Sequence, residues 1–180
     1  MEKFILIFSL LLIPFFTLAH SGGTDELGGH HCWTDCEAKG YKTGAFHYHS
    51  GPYSGLVIED GALVRAKGDI DVYIVKNIGN KKFKRLVLSP HVFESYGHLR
   101  WEDVMDLDQV VVDSFATSDL VRATVAGDPR VYQLYPQGDT GEKRWITTGE
   151  AFERLGHDWD AVYTINETDR DAYAEGTVIE

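Results

Sequence analysis

Histidines are concentrated near the amino terminus of this 180-residue chain, where residues 20–51 hold five of its eight histidines. His47 and His49 are separated by one residue, so in a β-strand both imidazoles project from the same face. The Gly-rich stretch before them allows Asp25 and His30 to approach the same point. Imidazole nitrogens and one carboxylate suit zinc, copper, nickel or iron. The spacing therefore indicates a metal site.

The same residues also fit a simpler interpretation. They would then be solvated histidines on a flexible leader, with Cys32 and Cys36 closing a small disulfide loop. The segment has few apolar residues, so it needs a metal, a disulfide or docking onto a neighbour to offset its conformational entropy. Clustering alone leaves both interpretations open.

Two stretches of this segment resemble the YHYH family of secreted bacterial proteins, whose members carry H-S-G-x-T-D-x-x-G-C-H followed by G-x-Y-H-C-H or G-x-Y-H-Y-H. The match covers about 30 residues, and Phe46 replaces the first Tyr of the second motif. The resemblance implies metal binding, with zinc expected first and copper second. The ligands that we predict are His20, Asp25, His30, His47 and His49.

The cysteines of this family bear on the ligand set. Many relatives have Cys where this chain has Gly29 and Tyr48, which suggests that those two positions are bridged in relatives. Asp25 and the histidines then remain as ligands. Cys32 and Cys36 resemble an inserted C-x-x-x-C, which implies either a disulfide of their own or additional ligands.

Residues 1–19 have the pattern of a secretory signal peptide, with one basic residue, an apolar run and small residues before a cut after Ala19. The run is shorter than the roughly 20 apolar residues that a spanning helix needs. We therefore expect a secreted or extracytoplasmic protein with no stable membrane span after cleavage. The cut would leave His20 as the new amino terminus, where its amine and imidazole could chelate a metal.

The formal charge of −11 opposes attraction to nucleic-acid phosphates, so we expect no nucleic-acid partner. The expected partners are a metal ion and a polymer or protein of the cell envelope. The sequence contains no G-x-S-x-G elbow, H-E-x-x-H helix or phosphate-binding Gly loop.

The rest of the chain matches itself at a register of about 59 residues, which predicts two copies of one unit at 63–119 and 120–178. Both copies resemble a KRWI-type repeat of secreted and envelope proteins, which implies a noncatalytic module. We predict an α+β fold in which two tandem ββα-type repeats pack as one small domain. The predicted strands are 71–75, 85–88, 131–135 and 144–147, the predicted helices 91–96 and 150–155, and the predicted extended stretches 104–107 and 162–165, with 110–112 as a further strand.

Residues within the copies have mostly structural interpretations. Phe93 and Phe152 are the expected core anchors, and Ser89 and Thr148 the expected helix starts. We expect His98 and His157 to cap helix ends. The tryptophans at 101, 145 and 159 should pack in the core rather than form a carbohydrate platform. The basic cluster 81–85 should be solvated.

Three functional hypotheses follow. The first is a secreted or envelope-associated metal-binding protein without catalytic activity, and the alternative is a small secreted metal-dependent hydrolase that uses the His-rich site. The third is a structural secreted module with a metal-free leader. The sequence favours the first hypothesis, because it explains the histidines and the repeats together.

Overall fold

The computed structural model describes residues 23–125 and 128–180. The predicted signal peptide 1–19 and the predicted ligand His20 lie outside the described residues. Within the described part of the chain, no helix is long and apolar enough to cross a membrane.

The His-rich segment, residues 20–51, supplies the first two strands of a small antiparallel sheet ordered β1-β2-β3, and residues 57–58 supply the third. A disulfide between Cys32 and Cys36 directly follows the first strand and closes the start of the loop to the second. The predicted strand at His47 is confirmed. The strands are β1 (Gly29–His31), β2 (Phe46–Tyr48) and β3 (Val57–Ile58).

Two five-stranded sheets follow, and each is built from one successive stretch of chain. The first stretch contains β4 (Leu63–Ala66), β5 (Val72–Ile78), β6 (Lys81–Leu86), α1 (Pro90–Ser95), β7 (Val104–Leu107), α2 (Gln109–Asp113) and β8 (Ala116–Thr117). The second contains β9 (Leu120–Ala123), β10 (Val131–Gln137), β11 (Thr140–Ile146), α3 (Gly149–Arg154), β12 (Tyr163–Ile165), α4 (Glu167–Asp171) and β13 (Ala174–Glu175).

The two sheets have the same strand order, β7-β4-β5-β6-β8 in the first and β12-β9-β10-β11-β13 in the second. The α+β class is confirmed, but the ββα description of each unit is too short. It omits an opening strand, which reads Leu-Val-Arg-Ala in both units, and it omits a second helix.

The predicted strand at 110–112 is wrong, because these residues lie in α2. Its β-branched composition favours a strand, yet Val111 and Val112 are both buried. Adjacent residues of a strand point to opposite faces, whereas a helix lets two neighbours share one buried side.

The main hydrophobic core is shared by both sheets and includes Phe93 and Phe152, each 1% exposed. A second cluster joins the His-rich segment to the first sheet, because Phe46 and Tyr48 of β2 pack with Phe115 and with apolar residues of β4 and β5. The His-rich segment is therefore docked on the first sheet and does not hang from it as a leader.

The predicted helix starts are confirmed, since the hydroxyls of Ser89 and Thr148 accept hydrogen bonds from the N–H groups of Val92 and Ala151. The two histidines after the helices differ. His98 Nδ1 lies 2.9 Å from the carbonyl oxygen of Tyr96, as capping predicts, whereas the ring of His157 packs edge-on against Phe152.

Two expectations about side-chain exposure are wrong. Trp101 and Trp159 are each 46% exposed, because they lie flat on the outer faces of Phe93 and Phe152. Within the basic cluster 81–85, only Lys81 is exposed. Lys82, Lys84 and Arg85 are partly or fully buried, and each pairs with a carboxylate supplied by another part of the fold.

Candidate metal centre

Strands β1 and β2 bring three of the predicted ligands together. His30 lies directly opposite His47 in the sheet, and His49 follows β2, so its side chain returns to the face of His47. The Nε2 atom of His49 lies 2.9 Å from Nε2 of His47 and 2.8 Å from Nε2 of His30. One nitrogen from each ring lies within 4.8 Å of the other two. We call these three residues the histidine cluster.

The close packing of β1 against β2 depends on Gly29. This residue lies opposite Tyr48, and a Cβ at Gly29 would overlap the ring of Phe46 and come within 2.9 Å of the Tyr48 ring.

The cluster is partly shielded from water. His47 is 0% and His30 7% exposed, whereas His49 is exposed. Burial lowers the pKa of His30 and His47, and the neighbouring imidazole of His49 lowers both further. These two rings are therefore held in the neutral form that binds metal ions.

The tautomer of His47 is set by its other ring nitrogen. Nδ1 lies 3.5 Å from the carbonyl oxygen of Ala45, an arrangement in which Nδ1–H donates and Nε2 keeps its lone pair. The lone pair of His47 then points toward the other two histidines. This orientation is the one that metal ligation through Nε2 requires.

The loop between β1 and β2 contributes two further features. The disulfide decides between the two alternatives for Cys32 and Cys36 in favour of a bridge. Beyond it, the N–H of Tyr41 donates to the carbonyl of Cys36, and the Tyr41 ring centre lies 4.5 Å from that of His47. No sequence pattern marks Tyr41 for this place, because an aromatic residue in a Gly-rich loop belongs to no periodic pattern.

Asp25 does not join the histidine cluster, which corrects its prediction as a ligand. Its Oδ1 accepts hydrogen bonds from the N–H groups of Leu27 and Gly29, and its Oδ2 lies 2.6 Å from Nζ of Lys82. Burial acts to raise the pKa of Asp25, but the hydrogen bonds from Lys82 and Gly29 outweigh it, so the pKa is lowered. The carboxylate therefore anchors the turn before β1 to β6.

No protein-family model, curated protein or solved structure matches this chain. We therefore infer the function of the chain from the geometry of the histidine cluster.

His31 lies on the opposite face of β1 from His30, as strand alternation requires. Its ring meets the edge of Phe46 at 5.0 Å and stacks beside Trp33 at 5.7 Å. Burial lowers the pKa of His31, so this ring too is held neutral. It packs between the His-rich sheet and the first five-stranded sheet, away from the cluster.

Proposed function

We propose that this protein is a secreted metal-binding protein whose ion is held by His30, His47 and His49. The observation that carries the proposal is the convergence of three Nε2 atoms, from the paired strands β1 and β2 and from His49 directly after β2. Zinc is the expected ion and copper the second choice, because imidazole suits both. The ion also stabilises the His-rich segment, since it crosslinks β1 to the end of β2.

A hydrogen bond joins the ring nitrogens only in pairs, whereas a cation between the rings would contact all three. Nε2 of His49 is close to both neighbours, but a ring nitrogen carries either one hydrogen or one in-plane lone pair. It can therefore form one ordinary hydrogen bond to one neighbour. A cation between the rings accepts all three lone pairs at once.

A tetrahedral zinc site needs a fourth ligand. We propose His20 for this role, on the resemblance to the YHYH family and on its position after the predicted cleavage site. We further propose that residues 1–19 direct export, which agrees with the disulfide between Cys32 and Cys36. We also infer that the two five-stranded sheets arose by duplication of one unit. Together they would form a noncatalytic module that binds a polymer or protein of the cell envelope.

The hydrolase alternative requires a general base beside the metal. Among the described residues, the side chains grouped as candidate ligands at this site are three histidines. Asp25 instead forms an ion pair with Lys82. These observations favour binding over catalysis.

The proposal is tested by zinc titration of the metal-free, untagged mature protein. We expect one zinc ion per chain, and the His47→Ala/His49→Ala double variant should bind at least about 100-fold more weakly. The matched control is His91→Ala/His98→Ala, which removes two exposed histidines outside the cluster and should leave the affinity unchanged. Equal weakening in both variants, or absence of stoichiometric binding to the wild type, would refute the proposal.

A further inference from the structure

The two five-stranded units carry matching aromatic clefts that the metal site does not use. In the first cleft, Trp101 lies parallel to Phe93 at 3.9 Å, and in the second Trp159 lies parallel to Phe152 at 3.7 Å. The clefts measure about 200 and 230 Å³. Each cleft therefore has an indole surface on one side, and the two clefts are of similar size.

The clefts differ in charge at one equivalent position. Asp71 lines the first cleft where Arg130 lines the second, and the turn between β10 and β11 adds Asp139 to the first. Arg130 is already neutralised, because its guanidinium donates to Asp128 at 2.7 and 2.8 Å. Across residues 23–125 and 128–180, no basic side chain forms an ion pair with Asp71 or Asp139.

The carboxylates of Asp71 and Asp139 determine which kind of ligand the first cleft can bind. Burial raises the pKa of Asp71, and the negative charges of Asp69 and Asp139 raise it further, so a cation here would relieve both effects. The indole of Trp101, which is 46% exposed, adds aromatic surface that attracts ammonium and guanidinium groups. The cleft is thus complementary to a group that is positive at its tip and apolar along its stem.

The volume of the first cleft indicates how large a cationic group it can hold. About 200 Å³ is below the roughly 300–1,000 Å³ of pockets that enclose whole small ligands, but it suits one extended side chain. We propose that the first cleft binds a basic side chain of a partner protein, with the charge on Asp71 and Asp139 and the stem against Trp101. The second cleft lacks this charge and does not bind such a side chain.

The proposal is tested by NMR titration of the full-length mature protein with Nα-acetyl-lysine methylamide. We expect a saturable shift of the Trp101 indole N–H resonance and no equal shift at Trp159. The Nε-acetylated compound, which has the same stem without the charge, should bind at least about 10-fold more weakly. Tetramethylammonium, which has the positive charge but no extended stem, is the third probe and should bind more weakly than the lysine compound.

Matched variants complete the test. Asp71→Asn/Asp139→Asn should weaken lysine binding by about 10-fold or more, while Trp159→Ala should leave it unchanged. The spectra themselves show whether each variant is folded. Equal response to the acetylated compound, equal response at both tryptophans, no saturable shift, or preference for tetramethylammonium over the lysine compound would overturn the proposal.

Discussion

A histidine nitrogen binds either a proton or a metal ion, so protons should compete with the proposed ion at the histidine cluster. Because burial lowers the pKa of His30 and His47, both rings are neutral at pH 7 and protons compete only at lower pH. Zinc affinity should therefore be nearly constant from about pH 7 to 8 and should fall as the pH drops below about 6.5. Zinc titrations between pH 5 and 8 measure this. Affinity that does not change with pH would contradict ligation by imidazole.

The same shifts affect the metal-free protein. The unfolded chain takes up protons on His30 and His47 at about pH 6.5, above the lowered pKa values of the folded state. The stability that these rings contribute is therefore complete above about pH 6.5 and is lost as the pH falls toward their folded-state pKa values.

Asp25 should matter for stability and not for ligation. Asp25→Ala removes the acceptor for Leu27, Gly29 and Lys82, and it should lower the free energy of unfolding by about 1.5–3 kcal/mol. Zinc stoichiometry should remain one per chain. Chemical denaturation and zinc titration of the same variant separate the two roles, and a variant that folds stably but has lost zinc would show that Asp25 is a ligand.

The sequence predicted the histidine cluster better than its surroundings. Alternation along a strand is enough to place His47 and His49 on one face, and the Gly-rich stretch allowed His30 to join them. The partner of Asp25 is Lys82, 57 residues away, and no local pattern marks that pairing. Lys82 Nζ also lies 3.9 Å from the Phe46 ring centre, a contact that exists only once β2 docks on the first sheet.

At the level of elements, the disulfide supports the hairpin that carries the cluster. It links residues four apart directly after β1, where the N–H of Cys32 donates to the carbonyl of Ala45 next to β2. Chain-entropy arguments give about 2 kcal/mol for so short a loop. Cys32→Ala/Cys36→Ala should therefore lose about 2 kcal/mol of stability in thermal or chemical unfolding. A variant as stable as the wild type would mean that the strands hold the loop unaided.

The elements that sequence reasoning found are those with strong local patterns. β5 and β6 are long, β-branched hairpin strands, and α1 begins at a capping Ser. The opening strands were missed although Leu63–Ala66 and Leu120–Ala123 have identical sequences. They lie 57 residues apart, outside the 59-residue register that aligns the rest, so an internal alignment that allows gaps would have found them.

At the level of the whole molecule, a buried ion pair joins the two units. Arg85 of β6 lies 2.9 Å from Asp169 of α4, and the two side chains are 2% and 0% exposed. The hydroxyl of Tyr96 also donates to Asp169, at 2.5 Å. The buried positive charge of Arg85 in the first unit is thus neutralised by the carboxylate of Asp169 in the second unit.

Loss of one partner should be costly here. Asp169→Ala leaves Arg85 buried without its counter-ion and should reduce the free energy of unfolding by about 3–5 kcal/mol. The equivalent arginine of the second unit, Arg144, instead pairs with the partly exposed Glu142, so Glu142→Ala should cost less than about 1 kcal/mol. Denaturant unfolding compares the two variants. Similar losses would mean that the buried pair does not hold the units together.

We propose that His30 of β1, His47 of β2 and His49 directly after β2 bind one metal ion through their three imidazoles. Anomalous diffraction at the zinc absorption edge from crystals of the zinc-loaded protein tests it most directly. We expect a single strong peak about 2.0–2.1 Å from the Nε2 atoms of His30, His47 and His49. A zinc peak bound elsewhere, or well-ordered histidine rings with no peak between them, would contradict it.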